Sequence, residues 1–216
     1  MNLLQEFNRC LDLNDQYIHV KKDASYYTEV KGDTLYIYFQ WSKGKLDWFH
    51  NLNFPAKPYK RMKKIWFAHG GFFSVWNMVE PLLMPLITNP SIKKIKIVGY
   101  SHGAAIALLC YEYCMFHRPD AEIEGAGFGC PRVFWGFCSS SVRERFTNFI
   151  VVRNGDDLVT KVPPRCFGFR HISTIIGIGT PAEGSSGPID DHSSASYIYA
   201  LEDYYGLPHN DVENAV

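Results

Sequence analysis

Residues 97–105 read Ile-Val-Gly-Tyr-Ser-His-Gly-Ala-Ala and contain a G-x-S-x-G pattern centred on Ser101. A strand-like run that ends Ile95-Lys96-Ile97-Val98 comes just before the pattern, and an alanine-rich run begins at Ala104 just after it. This order predicts a strand, a sharp turn and a helix, with the serine at the turn. Glycine on both sides fits such a turn, because a side chain there would collide with the strand or the helix. Taken by itself, the pattern also fits a serine that caps the N-terminus of a helix. The strand predicted before it and the helix predicted after it favour a nucleophile.

Runs rich in β-branched and aromatic residues, bounded by Gly, Pro, Asn or charge, predict strands along the first two thirds of the chain. They lie at Tyr26–Val30, Thr34–Trp41, Lys64–Ala68, Ile92–Val98, Ala121–Phe128 and Asn148–Arg153. Helical spacing of apolar residues predicts helices at Phe73–Ile87 and His102–Phe116. Pro81 and Pro85 are expected to kink or split the first of these helices.

The alternation of strands and helices predicts an α/β fold, with a mostly parallel sheet covered by helices on both faces. The residues Lys31-Gly32-Asp33 have the composition of a tight turn, so an N-terminal antiparallel hairpin is expected before the parallel part. Gly179–Pro188 is rich in Gly, Ser and Pro and is predicted to be a mobile surface loop. No repeat or interdomain linker is visible, so residues 1–216 are expected to form one domain.

Composition limits the classes of partner. The chain has 22 Lys plus Arg and 22 Asp plus Glu, so no net field attracts nucleic acid. The longest apolar run follows Ser101 and is interrupted by Glu112, which predicts no transmembrane segment. The first sixteen residues lack a basic start and an apolar run, so no signal peptide is predicted. We therefore expect a cytoplasmic protein, with leaderless export left open.

The six cysteines are expected to be reduced and mostly buried, because they form no C-x-x-C pair and no export signal is predicted. Cys110, Cys114 and His117 lie within two helical turns, which raises the question of a zinc or redox site. No fourth ligand is close in sequence, so buried thiols on a helix face are the favoured interpretation. No metal and no cofactor are predicted.

A serine nucleophile needs a base and an orienting acid, and both follow Ser101 in the sequence. Asp157 comes just after a predicted strand, and His192 follows the Gly/Ser/Pro-rich segment. The order Ser, Asp, His is that of α/β-hydrolases. Asp156 competes for the role of the acid and His171 for that of the base, and the order alone leaves both alternatives open.

The sequence resembles the class three, fungal-type lipases over about residues 25 to 200, through five motifs in the same order. The matching segments are Tyr38-Phe39-Gln40-Trp41-Ser42 with Asp47-Trp48 and Asn51-Leu52 for F-R-G-T/S with D-W and N-L, His69-Gly70-Gly71-Phe72 for H-x-G-F, Gly99-Tyr100-Ser101-His102-Gly103 for G-H-S-L-G, Phe128-Gly129-Cys130-Pro131-Arg132-Val133 for F-G-x-P-R-V, and Asp157-Leu158-Val159 with Pro163-Pro164 for D-x-V-x-x-x-P-P. The resemblance implies an α/β-hydrolase fold.

The same resemblance implies roles for residues. Ser101 is expected to be the nucleophile, His192 the general base and Asp157 its orienting acid, with the amides of Ser42 and His102 as the oxyanion hole. Gln40-Trp41 replaces the usual Arg-Gly before Ser42, so the backbone geometry at that serine is the weakest match. His69 is expected to fix the turn before its helix by hydrogen bonding. The His102 side chain is expected to point away from the reacting atoms.

These roles predict a serine carboxylic-ester hydrolase, a lipase or esterase, that acts through an acyl-enzyme on a small-molecule or lipid ester. Residues 43–59 occupy the position of the family's lid and are short, which favours short to medium acyl chains and only transient contact with a lipid interface. The alternative is a catalytically silent α/β-hydrolase-fold protein that serves as a binding or scaffold protein. The sequence leaves the natural ester and the oligomeric state open.

Overall fold

The computed structural model describes residues 1–21, 24–40, 56–59, 66–136, 139–179 and 189–209. The strands in these ranges are β1 (Ile18–Lys21), β2 (Ala24–Lys31), β3 (Thr34–Phe39), β4 (Ala56–Tyr59), β5 (Trp66–His69), β6 (Lys94–Tyr100), β7 (Glu122–Phe128), β8 (Phe134–Trp135), β9 (Phe149–Asn154), β10 (Phe169–Arg170) and β11 (Thr174–Ile178). The α-helices are α1 (Leu3–Asp12), α2 (Gly70–Ile87), α3 (His102–His117), α4 (Ser140–Arg145) and α5 (Ser194–Tyr204).

Seven strands form the main sheet in the order β1-β2-β3-β6-β7-β9-β11. The pairs β1–β2 and β2–β3 are antiparallel, which confirms the predicted hairpin, and its turn at Gly32 has a φ of 61°. The next four pairs, from β3–β6 to β9–β11, are parallel. The predicted α/β fold with a mostly parallel sheet is therefore confirmed. Because parallel strands end at the same edge, the turns after β6, β7 and β9 lie side by side.

The two faces of the main sheet bury two separate clusters of apolar side chains. On β6, Ile95 and Ile97 face the cluster that packs against α2 and α3. Val98 and Tyr100 on the same strand face the cluster that packs against α1 and α5. This alternation follows from the two-residue period of a strand, and it places helices on both faces as predicted.

A second, smaller sheet has the order β10-β8-β5-β4 and is antiparallel throughout. It includes β5, which corresponds to the strand predicted at Lys64–Ala68, so that strand does not join the main sheet. Its last residue, His69, leads directly into α2. The amide of His69 donates to the carbonyl of Val133, 2.8 Å away, and this bond ties the start of α2 to the segment after β7.

Helix α2 runs from Gly70 to Ile87, so Pro81 and Pro85 do not split it, and of the two predicted effects only a kink stays open. Both prolines lie on the exposed side of the helix. The carbonyl groups that they leave unpaired can therefore be hydrated, which lowers the cost of proline within a helix. The buried side of α2 carries Trp76 and Leu83, which pack into the core.

The five cysteines in the described ranges are free thiols, and all except Cys166 are buried. Cys110 and Cys114 lie one turn apart on α3 and are fully buried, which confirms the interpretation as buried thiols on a helix face. None of the helices in the described ranges is long and apolar enough to cross a membrane.

Candidate active site

Ser101 lies between the last residue of β6 and the first residue of α3, as the sequence predicts. Its φ of 56° and ψ of −122° make it the one non-glycine residue with positive φ in the described ranges. Such a backbone conformation is costly and persists only where the surrounding structure enforces it. Here the amide of Ser101 donates to the carbonyl of Phe128 at the end of β7, 2.8 Å away. The sharp turn at Ser101, or elbow, is therefore fixed to the neighbouring strand β7.

The two glycines of the pattern are required by close backbone contacts. A Cβ atom on Gly99 would lie 2.4 Å from the carbonyl oxygen of Gly103. A Cβ atom on Gly103 would lie 2.4 Å from the carbonyl oxygen of Phe39, at the end of β3. Both distances are far below a van der Waals contact, so only glycine lets α3 approach the strands this closely. This is the steric requirement that the sequence pattern predicts.

A chain of hydrogen bonds joins Ser101, His192 and Asp157, which are far apart in sequence. The Oγ of Ser101 and Nε2 of His192 are 2.8 Å apart. Nδ1 of His192 and Oδ2 of Asp157 are also 2.8 Å apart. Because a buried carboxylate can only accept, Nδ1 carries the proton and Nε2 presents its lone pair to the serine hydroxyl. The three side chains are thus in the geometry of a nucleophile, a base and an orienting acid.

Asp157 is fully buried and accepts several hydrogen bonds. Its Oδ1 accepts from the amide of Val159 at 2.8 Å, and its Oδ2 accepts from the hydroxyl of Tyr197 at 2.7 Å. Burial, followed by the negative charge of Asp157, raises the pKa of Tyr197 well above its usual value. The tyrosine therefore stays protonated and donates to the acid. With His192, these donors compensate for the removal of the carboxylate from water.

The loops that carry the acid and the base are bonded to each other. The side chain of Asp191 accepts from the amide of Asp156 at 2.8 Å. Nδ2 of Asn154, at the end of β9, donates to the carbonyl of Asp191 at 3.0 Å and to Oγ of Ser196 at 2.7 Å. These bonds hold the turn of His192 against the end of β9. Sequence reasoning did not identify Asn154, Asp191 or Tyr197, because a single polar residue carries no pattern that reveals such a contact.

The segment after β7 completes the site. Gly129 has a φ of 57°, and a Cβ atom there would lie 2.6 Å from Cε1 of His192. Nη1 of Arg132 donates to the carbonyls of Lys161 and Pro163, the latter at 2.8 Å. These carbonyls follow Asp157 in the chain, so Arg132 holds the loop of the acid in place. The F-G-x-P-R-V motif therefore has a structural explanation at its glycine and its arginine.

The competing candidates lie elsewhere. Asp156 is exposed and pairs with Lys161, as expected for a residue that is not the acid. His171 donates from Nε2 to the carbonyl of Thr160, 2.7 Å away, and has no bond to Ser101 among those of the described residues. The predicted preference for Asp157 over Asp156 and for His192 over His171 agrees with these contacts.

His69 and His102 both contact the ring of Phe72 on α2. Nδ1 of His69 accepts from the amide of Phe72 and caps α2, which confirms its expected role in fixing that turn. The ring of His102 contacts the ring of Phe72, with centroids 5.5 Å apart, so its side chain points towards α2. Ser42 lies outside the described residues, as do most of the lid segment 43–59 and residues 180–188 of the predicted mobile loop. The role of Ser42 in an oxyanion hole stays a prediction.

Within the described ranges, no group of three or more His, Cys, Asp or Glu side chains is arranged to hold a metal ion.

Acid is expected to destabilise the protein through two histidines, the buried His69 and the partly buried His171. Burial lowers the pKa of both His69 and His171 from 6.5 to about 4. Between these values the unfolded chain binds protons that the folded chain does not. The contribution of the two histidines to the free energy of unfolding is therefore complete above pH 6.5. It falls as the pH drops towards 4, by about 1.4 kcal/mol per pH unit for each histidine.

Urea unfolding at several pH values between about 7 and 4.5 measures this slope. His171→Gln is expected to flatten it. His19→Gln, at an exposed histidine on β1, is the matched control and should leave it unchanged. Equal slopes for the unsubstituted protein and His171→Gln would contradict the expectation.

The family model described as Lipase (class 3) matches residues 36–167. A Fusarium solani protein, secreted mono- and diacylglycerol lipase 1, is 27% identical over 157 residues, which are 70% of this chain and 44% of that protein. A Malassezia globosa protein, secreted mono- and diacylglycerol lipase LIP1, is 32% identical over 90 residues, which are 40% of this chain and 29% of that protein. The chain thus spans less than half of the length of these curated relatives.

Solved structures share the fold. The triacylglyceride lipase of Rhizomucor miehei matches with a TM-score of 0.65 and 21% identity, over 81% of this chain and 76% of that one. Lipase II of Rhizopus niveus matches with a TM-score of 0.61 and 24% identity, over 73% of this chain and 62% of that one. These matches confirm the predicted α/β-hydrolase fold.

The expectation of a cytoplasmic protein is contradicted by the relatives. The proteins from Fusarium solani, Malassezia globosa and Malassezia restricta are each named as secreted lipases, which points to an extracellular location. Cellular location is read from targeting segments by receptors, and the residues that build a folded core carry no record of it. Composition and the first sixteen residues therefore did not predict the compartment correctly.

Proposed function

This chain belongs to the class 3 lipase family, and on that premise we propose that it is a serine carboxylic-ester hydrolase. The observation that carries the proposal is the unbroken chain of hydrogen bonds from Ser101 through His192 to Asp157. A serine hydroxyl is a poor nucleophile at neutral pH unless a base accepts its proton, and this geometry supplies that base. The strained elbow at Ser101 supports the same role, because strain of this kind clusters at functional sites.

In the proposed mechanism, Oγ of Ser101 attacks the carbonyl carbon of the ester while Nε2 of His192 takes the hydroxyl proton. The tetrahedral intermediate then collapses, and the alcohol leaves with the proton from His192. In the second half, water attacks the acyl-enzyme and gives its proton to His192, and that proton passes to Oγ of Ser101 as the acid is released. Asp157 keeps the proton on Nδ1 and stabilises the imidazolium that forms in each half. Every proton that His192 accepts is returned within the same half-reaction.

The negative charge on the carbonyl oxygen needs donors that are already in place. The amide of His102 is the proposed donor from α3, where His102 is the first helical residue. The N-terminal end of a helix favours negative charge, so the helix itself adds to the stabilisation. The amide of Ser42 is proposed as the second donor.

Esters of glycerol are the substrates that the relatives suggest, since the Fusarium and Malassezia proteins are named as mono- and diacylglycerol lipases. We extend this to the chain as a proposal, with an extracellular place of action. The short segment 43–59 favours esters with short to medium acyl chains over emulsions of long-chain triacylglycerol. Contact with a lipid interface is then transient.

Hydrolysis of p-nitrophenyl esters from acetate to palmitate tests the proposed function and the chain length together. We expect kcat/KM to be highest between butyrate and octanoate and to fall by about tenfold or more towards palmitate, in line with the gain per methylene of an apolar pocket of limited size. Activity on long-chain emulsions above that on soluble butyrate would contradict the preference. A folded protein that cleaves none of these esters would contradict the function.

A further inference from the structure

His192 lies among aromatic rings that come from other parts of the chain. The ring of Tyr100 stacks on the imidazole, with centroids 5.3 Å apart and an angle of 28° between the planes. The ring of Tyr197 meets the imidazole edge-on, with centroids 6.4 Å apart. Stacked and edge-on contacts of this kind restrict the orientation of a ring beyond what burial alone does. The imidazole is therefore held on two sides in addition to its two hydrogen bonds.

Tyr100 also holds the backbone of the same residue. Its hydroxyl donates to the carbonyl oxygen of His192. One side chain thus fixes both the ring and the main chain of His192. Because Tyr100 directly precedes Ser101, its contacts set the position of His192 relative to the serine with no intervening residue.

Tyr100 is itself immobilised. It is the last residue of β6 and only 5% exposed. Phe7 of α1 meets its ring edge-on, with centroids 5.2 Å apart, and Phe7 also contacts Phe128 and Tyr197. Burial, followed by the charge of Asp157, raises the pKa of Tyr100 above its usual value, so the hydroxyl keeps its proton and can donate.

His192 has little support from its own segment. It ends a single 3-10 turn, Asp190–His192, and the next residue is the N-cap of α5. A short turn does not restrict side-chain rotation as a long helix or a strand does. The bonds of Asp191 with Asn154 and Asp156 hold the main chain of this turn, and the contacts with Tyr100 add a restraint on the imidazole ring itself.

We propose that Tyr100 is a positioning residue for His192, which keeps Nε2 directed at Ser101 by stacking on the ring and bonding the carbonyl. The proposal rests on the proposed ester hydrolysis for its kinetic consequences. G-x-S-x-G assigns nothing to this position, and the motif that the stretch resembles carries histidine there. Misplacement of a reacting group by about 1 Å costs as much as 100-fold in rate, so the effect should appear in kcat rather than in KM.

Two substitutions separate the two contacts. Tyr100→Phe keeps the ring and removes the hydrogen bond, and we expect kcat on p-nitrophenyl butyrate to fall about 5- to 10-fold, the loss of one hydrogen bond. Tyr100→Leu removes the stacking as well, and kcat should fall about 100-fold. KM should change less than about twofold in both, since Tyr100 acts on the base and not on the ester.

Tyr17 supplies matched controls, because it is also a buried tyrosine whose hydroxyl donates to a main-chain carbonyl, that of Cys10, at 2.8 Å. Tyr17→Phe and Tyr17→Leu should lower the stability to a similar extent and leave kcat within about twofold. If the Tyr17 and Tyr100 variants lose kcat in proportion to their stability, Tyr100 has only a structural role and the proposal is overturned.

A second readout does not depend on turnover. The proton on Nδ1 of His192, bonded to Asp157, is expected to give a proton NMR resonance far downfield of the amides in the unsubstituted protein. Tyr100→Leu should broaden or abolish it, and Tyr17→Leu should keep it. Retention of this resonance in Tyr100→Leu would overturn the proposal even if the chain cleaves no ester. A third outcome combines an unsubstituted protein that cleaves no ester with loss of the resonance in Tyr100→Leu. That outcome would overturn the proposed function and leave Tyr100 as the residue that positions His192.

Discussion

Ser101→Ala is expected to lower kcat for p-nitrophenyl butyrate by about 10⁵- to 10⁶-fold, the scale of loss when a serine hydrolase loses its nucleophile. The reason is that Oγ of Ser101 is the proposed nucleophile and, among the described residues, no other hydroxyl is bonded to Nε2 of His192. KM should change little, because the binding surface is intact. Initial rates of hydrolysis, with the background of uncatalysed hydrolysis subtracted, measure the effect.

Ser91→Ala is the matched control for this experiment. Ser91 is an exposed serine in the turn before β6, and its replacement should leave kcat within about twofold, as for most surface substitutions. Residual activity of Ser101→Ala above about 1% of that of the unsubstituted protein would show that another group attacks the ester.

His192→Ala is expected to lower kcat by a similar factor, about 10⁵- to 10⁶-fold, since the nucleophile and its base act as a unit. Without Nε2 the hydroxyl of Ser101 keeps its proton at neutral pH. The double variant Ser101→Ala/His192→Ala should be no worse than either single one. Steady-state kinetics of the three variants measure both the size of the loss and its lack of additivity.

His171→Ala separates the two candidate bases. His171 donates to the carbonyl of Thr160, so its removal should cost about 1–3 kcal/mol of stability and leave kcat within a few-fold. The reverse result, with His171→Ala inactive and His192→Ala active, would contradict the assignment of His192 as the base.

The part of the fold that the sequence predicts best is the part built from strong local patterns. The strands predicted at Ile92–Val98, Ala121–Phe128 and Asn148–Arg153 differ from β6, β7 and β9 by two residues or fewer at each end. Each of these strands has a mostly buried stretch that appears in the sequence as a short uncharged run, in the second half of β6 and β7 and at the start of β9. The turn at Gly32 and the elbow at Ser101 were visible because glycine is required at each.

Other elements were missed for identifiable reasons. Helix α1 was not predicted, although its buried residues lie at helical spacing and Asn2 caps its N-terminus. Strand β11 is an edge strand with mostly exposed residues and carries no burial pattern. The pairing of β5 with β4 and β8 in a separate sheet is a long-range choice, which no local window contains.

The candidate site likewise has a part that the sequence predicts and a part that it does not. The order of Ser101, Asp157 and His192 could be read from motifs, and the structure brings the three together. The contacts of Tyr100 and Tyr197 with this group could not be predicted, because they arise from packing between β6, α5 and the turn of His192. Their catalytic roles remain proposals that the substitutions above test.

Labelling with a fluorophosphonate probe tests the central claim most directly, because the probe reacts with a serine only when a base activates it. We expect the unsubstituted protein to be labelled at neutral pH, with the modified peptide containing Ser101 and no other serine. His192→Ala and Ser101→Ala should remain unlabelled, and His171→Ala should be labelled like the unsubstituted protein. A folded chain that the probe does not label, or labels at another residue, would contradict the account and favour a silent hydrolase fold that binds rather than cleaves.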